Sequence, residues 1–324
     1  MSEWRYMDAV GEALAAEMRD DETVFLAGVD VDPGVFAVTA GLMEEFGPDR
    51  VRNTPISEMG LLGVAVGAAL AGYRPVVELM FMDFIGVAFD PLLNQAAKLR
   101  YMTGGAAHLP LVVRTQTGAG GSGGAQHSQS LEAIVAHIPG LTVLMPSTPS
   151  DAAAQLRGAI QDPRPTVFVE HRRLYGWREP RPTQLPAPEA PGKAVVRRHG
   201  TDLTIVSWGR MAVLSLQAAE ELATEGIDAE VVDVRSLVPL DMATIAASVA
   251  ATGRLLVVHE AVRSFGGGAE IVARICEETF WSLDAPPMRI GGPDAPIPFS
   301  PGLEQSWIPD ILGIAQAARR LCDI

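Results

Sequence analysis

The chain has 324 residues, 25 Lys and Arg against 39 Asp and Glu, a formal charge of −14 and 48% hydrophobic residues. That length exceeds one small core and accommodates two α/β domains. The acidic balance argues against nucleic acid or an anionic membrane as partner, and no apolar run reaches the roughly 18 residues of a membrane span.

Cys276 and Cys322 form no spacing motif. Without a signal peptide they read as reduced thiols of a cytoplasmic protein. In chain order, a helix is expected near 5–20, followed by a strand at VFLAGV (24–29). The polar turn at 52–57 then leads into a run of Gly, Ala, Val and Leu read as a buried helix over 57–71. Glu58 stands at its mouth, behind Ser57 as N-cap. A carboxylate there is favoured by the helix dipole with no ligand at all, or it is held by something bound.

Further strands are expected at PVVELM (75–80), PLVVRTQ (110–116), LTVLMPS (141–147) and TVFVEH (166–171). Helices are expected near 87–103, 130–137 and 149–161. Strands alternating with helices predict a parallel sheet covered on both faces. The run E179-PRPTQLPAPEAPG-K193 carries five prolines and reads as an extended crossing between domains. Beyond it, strands LTIVSWG (203–209), AEVVDV (229–234) and RLLVVHE (254–260) alternate with helices near 211–226, 240–251 and 267–281. A last helix is expected over 303–324. The fold class is α/β, with two doubly wound domains of mainly parallel sheets: 1–178, a linker over 179–193, and 194–324.

Ligands of such sheets bind beyond the carboxyl ends of the strands, so residues just after strands are the functional candidates. Gly118, Gly120 and Gly123 match GxGxxG, but no acidic residue follows at the spacing of a dinucleotide site, and no GK[ST] follows for a P-loop. A mobile glycine-rich lid fits better. His127 follows it, and the residues alone leave two roles open: proton donor or acceptor to a reacting oxygen, or a turn residue bonded to nearby backbone. Phe81 and Phe84, after strand 75–80, are either core or a platform for a flat ring. His259-Glu260, before the glycine triplet 266–268, is a weaker candidate.

The motifs TPISEMG (54–60), GYRPVVELMFMDF (72–84), NQAAKLRYM (94–102), AQHSQ (125–129), HIPGLTVLMPSTPSDA (137–152) and VDVRSLVPLD (232–241) together make a resemblance specific. Over nearly its full length the chain resembles the β subunit of the thiamine-diphosphate-dependent E1 component of 2-oxo acid dehydrogenases. It looks closest to acetoin and pyruvate dehydrogenases, with branched-chain relatives nearby. The resemblance implies a thiamine-diphosphate pyrimidine-binding domain followed by a transketolase C-terminal domain. It places Glu58 on the glutamate that hydrogen-bonds N1′ of the cofactor's aminopyrimidine, and Phe84 where an aromatic stacks on that ring. It places His127 on the histidine that faces the reacting carbon and assists acyl transfer to a lipoyl group. The activity implied is cleavage of acetoin or a 2-oxo acid, with the acyl fragment passed to lipoyl-E2.

The diphosphate–magnesium motif, GDG followed by an Asn-rich end, appears nowhere in the chain. The resemblance therefore implies an E1 α subunit that holds Mg2+ and completes the cofactor site in an α2β2 heterotetramer. It also implies docking of E2 on the C-terminal domain. Potassium, where relatives bind it, would be held by backbone oxygens near Ala159, Asp162 and Arg164, where Pro163 and Arg164 replace the usual polar residues. Relatives usually read GEDV where this chain has Gly28-Val29-Asp30-Val31, so a glutamate of a proposed proton route is replaced by Val29. The alternative from the same superfamily is half of a split transketolase acting on a ketose phosphate.

Overall fold

The computed structural model describes residues 2–324. The chain divides into two compact units, one formed by the chain up to Thr117 with Ile134–Pro191, the other by Gly118–Ala133 with Gly192–Ile324.

The first unit contains strands β1 (Glu3–Arg5), β2 (Val24–Gly28), β3 (Val51–Asn53), β4 (Arg74–Phe81), β5 (Val112–Thr117), β6 (Thr142–Leu144), β7 (Thr166–His171) and β8 (Arg178–Pro180). Its main sheet runs β6-β7-β5-β4-β2-β3 with every pairing parallel. Every residue of β5 and β7 is buried, which is why these strands read as continuous runs rather than alternating ones. The register sets Gly28 beside Glu78 and Glu78 beside Arg114, so charged side chains lie across the middle of the sheet. The helices Tyr6–Asp20 and Pro149–Gln161 pack together on one face. Glu17 of the first accepts from Arg157 Nε at 2.7 Å and Gln161 Nε2 at 2.9 Å of the second. Thr148 caps the second helix, accepting from the Asp151 amide, and Pro149 stands at its first position, where no N–H is needed.

The proline-rich run is tied to this helix. The Glu189 amide donates to Ala154 O at 2.9 Å, and Arg157 Nη1 donates to Pro186 O at 2.7 Å. Its start, β8, pairs antiparallel with β1.

The second unit contains β9 (Val195–Arg198), β10 (Leu203–Ser207), β11 (Ala229–Asp233), β12 (Ser236–Val238), β13 (Leu255–Val262) and β14 (Met288–Gly292). Its sheet runs β14-β13-β10-β11-β9, parallel except for the antiparallel edge strand β9. Ile205, Val231 and Leu256 of the sheet pack with Leu222, Ile314 and Leu321 of helices in one core. Both units thus have the mainly parallel α/β architecture that the alternating pattern demands. Among the described residues no helix is long and apolar enough to cross a membrane.

Three expectations need correction. The helix expected over 87–103 is broken into a 3-10 turn before it (Met82–Gly86), a π-helical turn (Pro91–Ala96) and one α turn (Leu99–Met102). Pro91 cannot donate into a helix begun at 87, and the Ala97 amide reaches back five residues to Leu92 O. The helix expected over 303–324 is two, Pro301–Trp307 and Ile311–Cys322. Pro309 ends the first, and Asp310 caps the second by accepting from the Gly313 amide at 2.7 Å. The helix Glu58–Leu70 is not buried all round: Leu61, Leu62, Ala65, Val66 and Ala69 face inward, while Val64 is 69% and Leu70 50% exposed.

Candidate active site

Glu58 opens its helix as the first residue after Ser57, whose side chain makes no capping hydrogen bond. The Glu58 carboxylate has no hydrogen-bond or ion-pair partner among the described residues, although it sits in the positive field of the helix N-terminus. It lines a cavity of about 320 Å³ together with Val29, Leu61, Glu78, Met80 and Phe84. The sequence therefore brings Glu58 and Phe84 to one place, from the start of one helix and from the 3-10 turn that follows β4. The half-buried Phe84 ring meets Phe81 edge-on, with centroids 5.7 Å apart at 81°. Phe81 in turn meets Phe36 edge-on at 5.7 Å and carries the Arg172 guanidinium 5.8 Å over its ring. This stack fixes Phe84 from behind and leaves its ring on the cavity wall.

Glu78 is a member of this cavity that sequence reasoning did not single out. It is 7% exposed and accepts from Arg114 Nη1 at 2.8 Å. Arg114 also donates through Nε and Nη2 to both oxygens of Glu170, at 2.7 and 3.0 Å, and Tyr175 Oη donates to Glu170 at 2.9 Å. Two buried carboxylates thus share one guanidinium. Burial raises the Glu78 carboxyl above its ordinary range against the pull of Arg114, and the Glu170 charge adds to the rise. The signal available was the period-2 spacing of β4, which puts Glu78 and Met80 on one face near the strand's carboxyl end.

His127 lies in the second unit, on the exposed turn that follows the glycine-rich segment. Its amide donates to Gly124 O at 3.4 Å. Gly123 has no room for a side chain, since a Cβ there would lie 2.9 Å from His127 O and from Ser128 Oγ. The expected mobile lid is a tethered segment: the Ala119 amide donates to Glu260 Oε1 at 2.6 Å and the Ser122 amide to Glu304 Oε2 at 2.9 Å. His259, expected as a weak candidate, is fully buried, stacked 5.4 Å from Trp208 at 14°, and burial lowers its ring to about 4. It is a packing residue. Trp208 Nε1 donates to Glu132 Oε1 at 3.2 Å, and burial raises Glu132 to about 7.

At the segment expected to hold potassium, the carbonyls of Ile160 and Gln161 accept from Arg74 Nη1 at 2.8 and 3.2 Å. Pro163 O accepts from the Leu109 amide, and both Asp162 oxygens are taken by Arg164.

Residues 2–178 match the transketolase pyrimidine binding domain family, and residues 192–314 match the transketolase C-terminal domain family. The chain is 43% identical to the pyruvate dehydrogenase E1 component subunit beta of Bacillus subtilis, covering 100% of both chains. It is 45% identical to the acetoin:2,6-dichlorophenolindophenol oxidoreductase subunit beta of Cupriavidus necator, covering 96% of this chain and 95% of that one. Among solved structures, a split gene transketolase described as an inactive beta4 tetramer aligns with a TM-score of 0.80 at 26% identity, covering 98% of each chain.

Proposed function

The chain belongs to the β subunits of thiamine-diphosphate-dependent E1 components, and on that premise we propose that it supplies the pyrimidine half of a cofactor site completed by an α subunit in an α2β2 heterotetramer. The observation that carries this reading is the Glu58 carboxylate, which faces a cavity with Phe84 and has no partner among the described residues. A half-buried carboxylate at a helix mouth, beside an aromatic ring and apolar walls from Leu61, Leu79 and Val87, fits an aminopyrimidine.

In this reading Glu58 accepts a hydrogen bond from the pyrimidine ring and keeps a proton at N1′, and Phe84 packs against the ring face. The bound cofactor supplies the electron sink for C–C cleavage. Leu61, Leu79 and Val87 exclude water from the carboxylate, which strengthens its hold on a shared proton. His127 donates a proton toward the reacting oxygen as the acyl fragment passes to a lipoyl group on E2. The substrate is acetoin or a 2-oxo acid such as pyruvate, with branched 2-oxo acids as the nearest variant. Mg2+ belongs to the α subunit, because this chain carries no GDG motif. Potassium, if bound, would be held by backbone oxygens near Ala159, Asp162 and Arg164, beside the carbonyls of Ile160 and Gln161 that accept from Arg74. The domains are taken as 1–178 and 194–324 with the proline-rich linker 179–193 between them, in line with the two family matches. The two free cysteines support a reducing, cytoplasmic setting.

The test is reconstitution with the α chain followed by C2 proton exchange of the bound cofactor. Glu58→Gln is expected to lower exchange by about 10²–10⁴-fold, and undiminished exchange would remove Glu58 from the chemistry. The same complex is then offered acetoin, pyruvate, branched 2-oxo acids and a ketose phosphate. Half of a split transketolase is the second reading, supported by the structural likeness at a TM-score of 0.80. The E1 β relatives are 43–45% identical against 26% for that structure, which favours the first. Transfer to a lipoyl acceptor or to an aldose separates the two.

A further inference from the structure

We propose that Glu304 is a positioning residue for acyl transfer: it holds the loop that presents His127 by accepting the Ser122 amide. The proposal rests on the reading of His127 given above, and every contact it uses lies within the second unit.

Glu304 is 3% exposed and has no cationic partner among the described residues. Its side chain instead receives the Ser122 amide on both oxygens, at 2.9 and 3.2 Å. A buried carboxylate without a cation is unfavourable unless its hydrogen bonds compensate, and an apolar side chain of that size would fill the space at lower cost. Packing therefore does not explain a glutamate here, whereas holding an amide does. Charge-assisted bonds to backbone N–H groups are about twice as strong as neutral ones.

The amide it holds belongs to a strained point of the loop. Ser122 has φ +53, a left-handed conformation that a residue with a side chain adopts only when its surroundings impose it. The next residue, Gly123, packs directly on the backbone of His127 and on Ser128. Displacing Ser122 therefore displaces the turn that carries His127.

Glu304 also sits on a rigid support. It lies one turn before Trp307 in the helix Pro301–Trp307, so both side chains leave the same face. Trp307 packs with Ile297 against Ala119, and its Nε1 donates to Ala295 O at 2.9 Å. Gly292 lies under the ring, where no Cβ would fit. One short helix thus fixes the loop at Ala119 by packing and at Ser122 by hydrogen bonding. Glu260, also 3% exposed, takes the Ala119 amide, and the Glu132–Trp208 bond holds the chain after His127. His127 occupies the middle of a span fixed at both ends.

The experiment uses the reconstituted complex with α subunit, cofactor and a lipoyl domain. Glu304→Leu removes the acceptor, and Glu304→Gln keeps a carbonyl oxygen in its place. Three quantities are read: C2 proton exchange, lipoyl-domain acylation, and hydrogen exchange of the Ser122 amide. Glu304→Leu is expected to slow acylation by about 10²-fold, the effect of a misplacement near 1 Å, while leaving C2 exchange within about twofold. Ser122 exchange should quicken by about tenfold or more on loss of a hydrogen bond of this kind. Glu304→Gln should retain acylation within about threefold. Unchanged acylation in Glu304→Leu overturns the proposal, and so does a parallel fall in C2 exchange, which would mark general damage. Should Glu304→Leu not fold, unprotected Ser122 exchange in the wild-type complex, or a loss in Glu304→Gln as large as that expected for leucine, overturns it equally. His127→Ala separates the two layers: if it leaves acylation intact, the role of His127 fails; if it abolishes acylation while Glu304→Leu does not, only the positioning role fails.

Discussion

Replacing Glu132 by glutamine should make the second unit more stable relative to wild type as the pH rises. Burial raises the Glu132 carboxyl from 4.5 to about 7, and the nearby Glu260 charge adds to the rise, while the hydrogen bond from Trp208 opposes it. A rise of that size corresponds to roughly 3 kcal/mol. Below about pH 4.5 the carboxyl is protonated in the folded and unfolded chain alike, and it contributes nothing to pH dependence. Between there and about pH 7 the folded state keeps a proton that the unfolded state has released, so stability falls by about 1.4 kcal/mol per pH unit. Above that range both states are ionised, and the full penalty of a buried charge remains. Glutamine is neutral throughout and its Oε1 still accepts from Trp208. The amide it places where Glu132 Oε2 has no partner carries a penalty that does not vary with pH. The pH-dependent part of the difference is the Glu132 titration together with its coupling to the Glu260 charge. The assay is urea unfolding followed by tryptophan fluorescence, at intervals from about pH 5 to about pH 8, over which the difference should grow by roughly 2–3 kcal/mol in favour of Glu132→Gln. A difference that stays flat across the range would refute the assignment of a raised carboxyl to Glu132.

Arg114→Met leaves Glu78 and Glu170 buried without their shared guanidinium and should destabilise the first unit by about 3–5 kcal/mol, read as a lower urea midpoint. The deficit should shrink toward acid pH, because the Glu78 carboxyl, raised by burial, can then take a proton. In Gly158→Ala the new Cβ would fall on the Glu189 carbonyl of the proline-rich run. It should lose about 1–3 kcal/mol through overpacking, with proteolysis beginning within 181–191 if that run is what gives way. The chain purified alone should bind thiamine diphosphate weakly by calorimetry even with magnesium, and tight binding without any partner would contradict the half-site reading.

Much of the fold was legible because buried parallel strands and their helices leave long runs. TVFVEH and the helix over 149–161 fall where they were read, the helix marked by Thr148 as cap and Pro149 after it. The errors sit where one residue overrides a pattern. Pro91 breaks the helix over 87–103 and Pro309 breaks that over 303–324, although the flanking residues favour helix on both sides. The strands β1, β3, β8, β9 and β12, of three or four residues each, carry too little periodicity to be seen, and the half-buried five-residue β14, MRIGG, ends in two glycines that read as a turn. Glu58 and Phe84 are picked out by the motifs TPISEMG and GYRPVVELMFMDF that carry the resemblance, position alone leaving a capping glutamate and a core aromatic open, and both line one cavity. Glu304 could not: its partner is a backbone amide 182 residues away, and backbone groups leave no trace in the sequence. Glu78 was hidden differently, as a charge inside a strand whose neutralising Arg114 comes from the next strand over.

The helix Glu58–Leu70 joins the open carboxylate to the expected partner. Gly63 and Gly67 have nothing within 4 Å of the position a Cβ would take, so nothing among the described residues requires glycine at either. Each glycine in a helix interior sacrifices roughly 0.5–1 kcal/mol relative to alanine. The same helix and its approach expose Ile56 at 80%, Met59 at 56% and Val64 at 69%, an apolar stretch that a chain of charge −14 gains nothing by presenting to water. Glycines without neighbours and apolar side chains without cover have one joint explanation, the close approach of another backbone along this face. On the proposed reading Glu58 begins that face, so covering the helix and completing the cofactor site would be one event. Mixing with the α subunit alone should therefore raise the thermal midpoint of this chain before any cofactor is added, and Gly63→Leu should abolish that rise while leaving the isolated chain folded. A rise that persists in Gly63→Leu would place the partner on a different face.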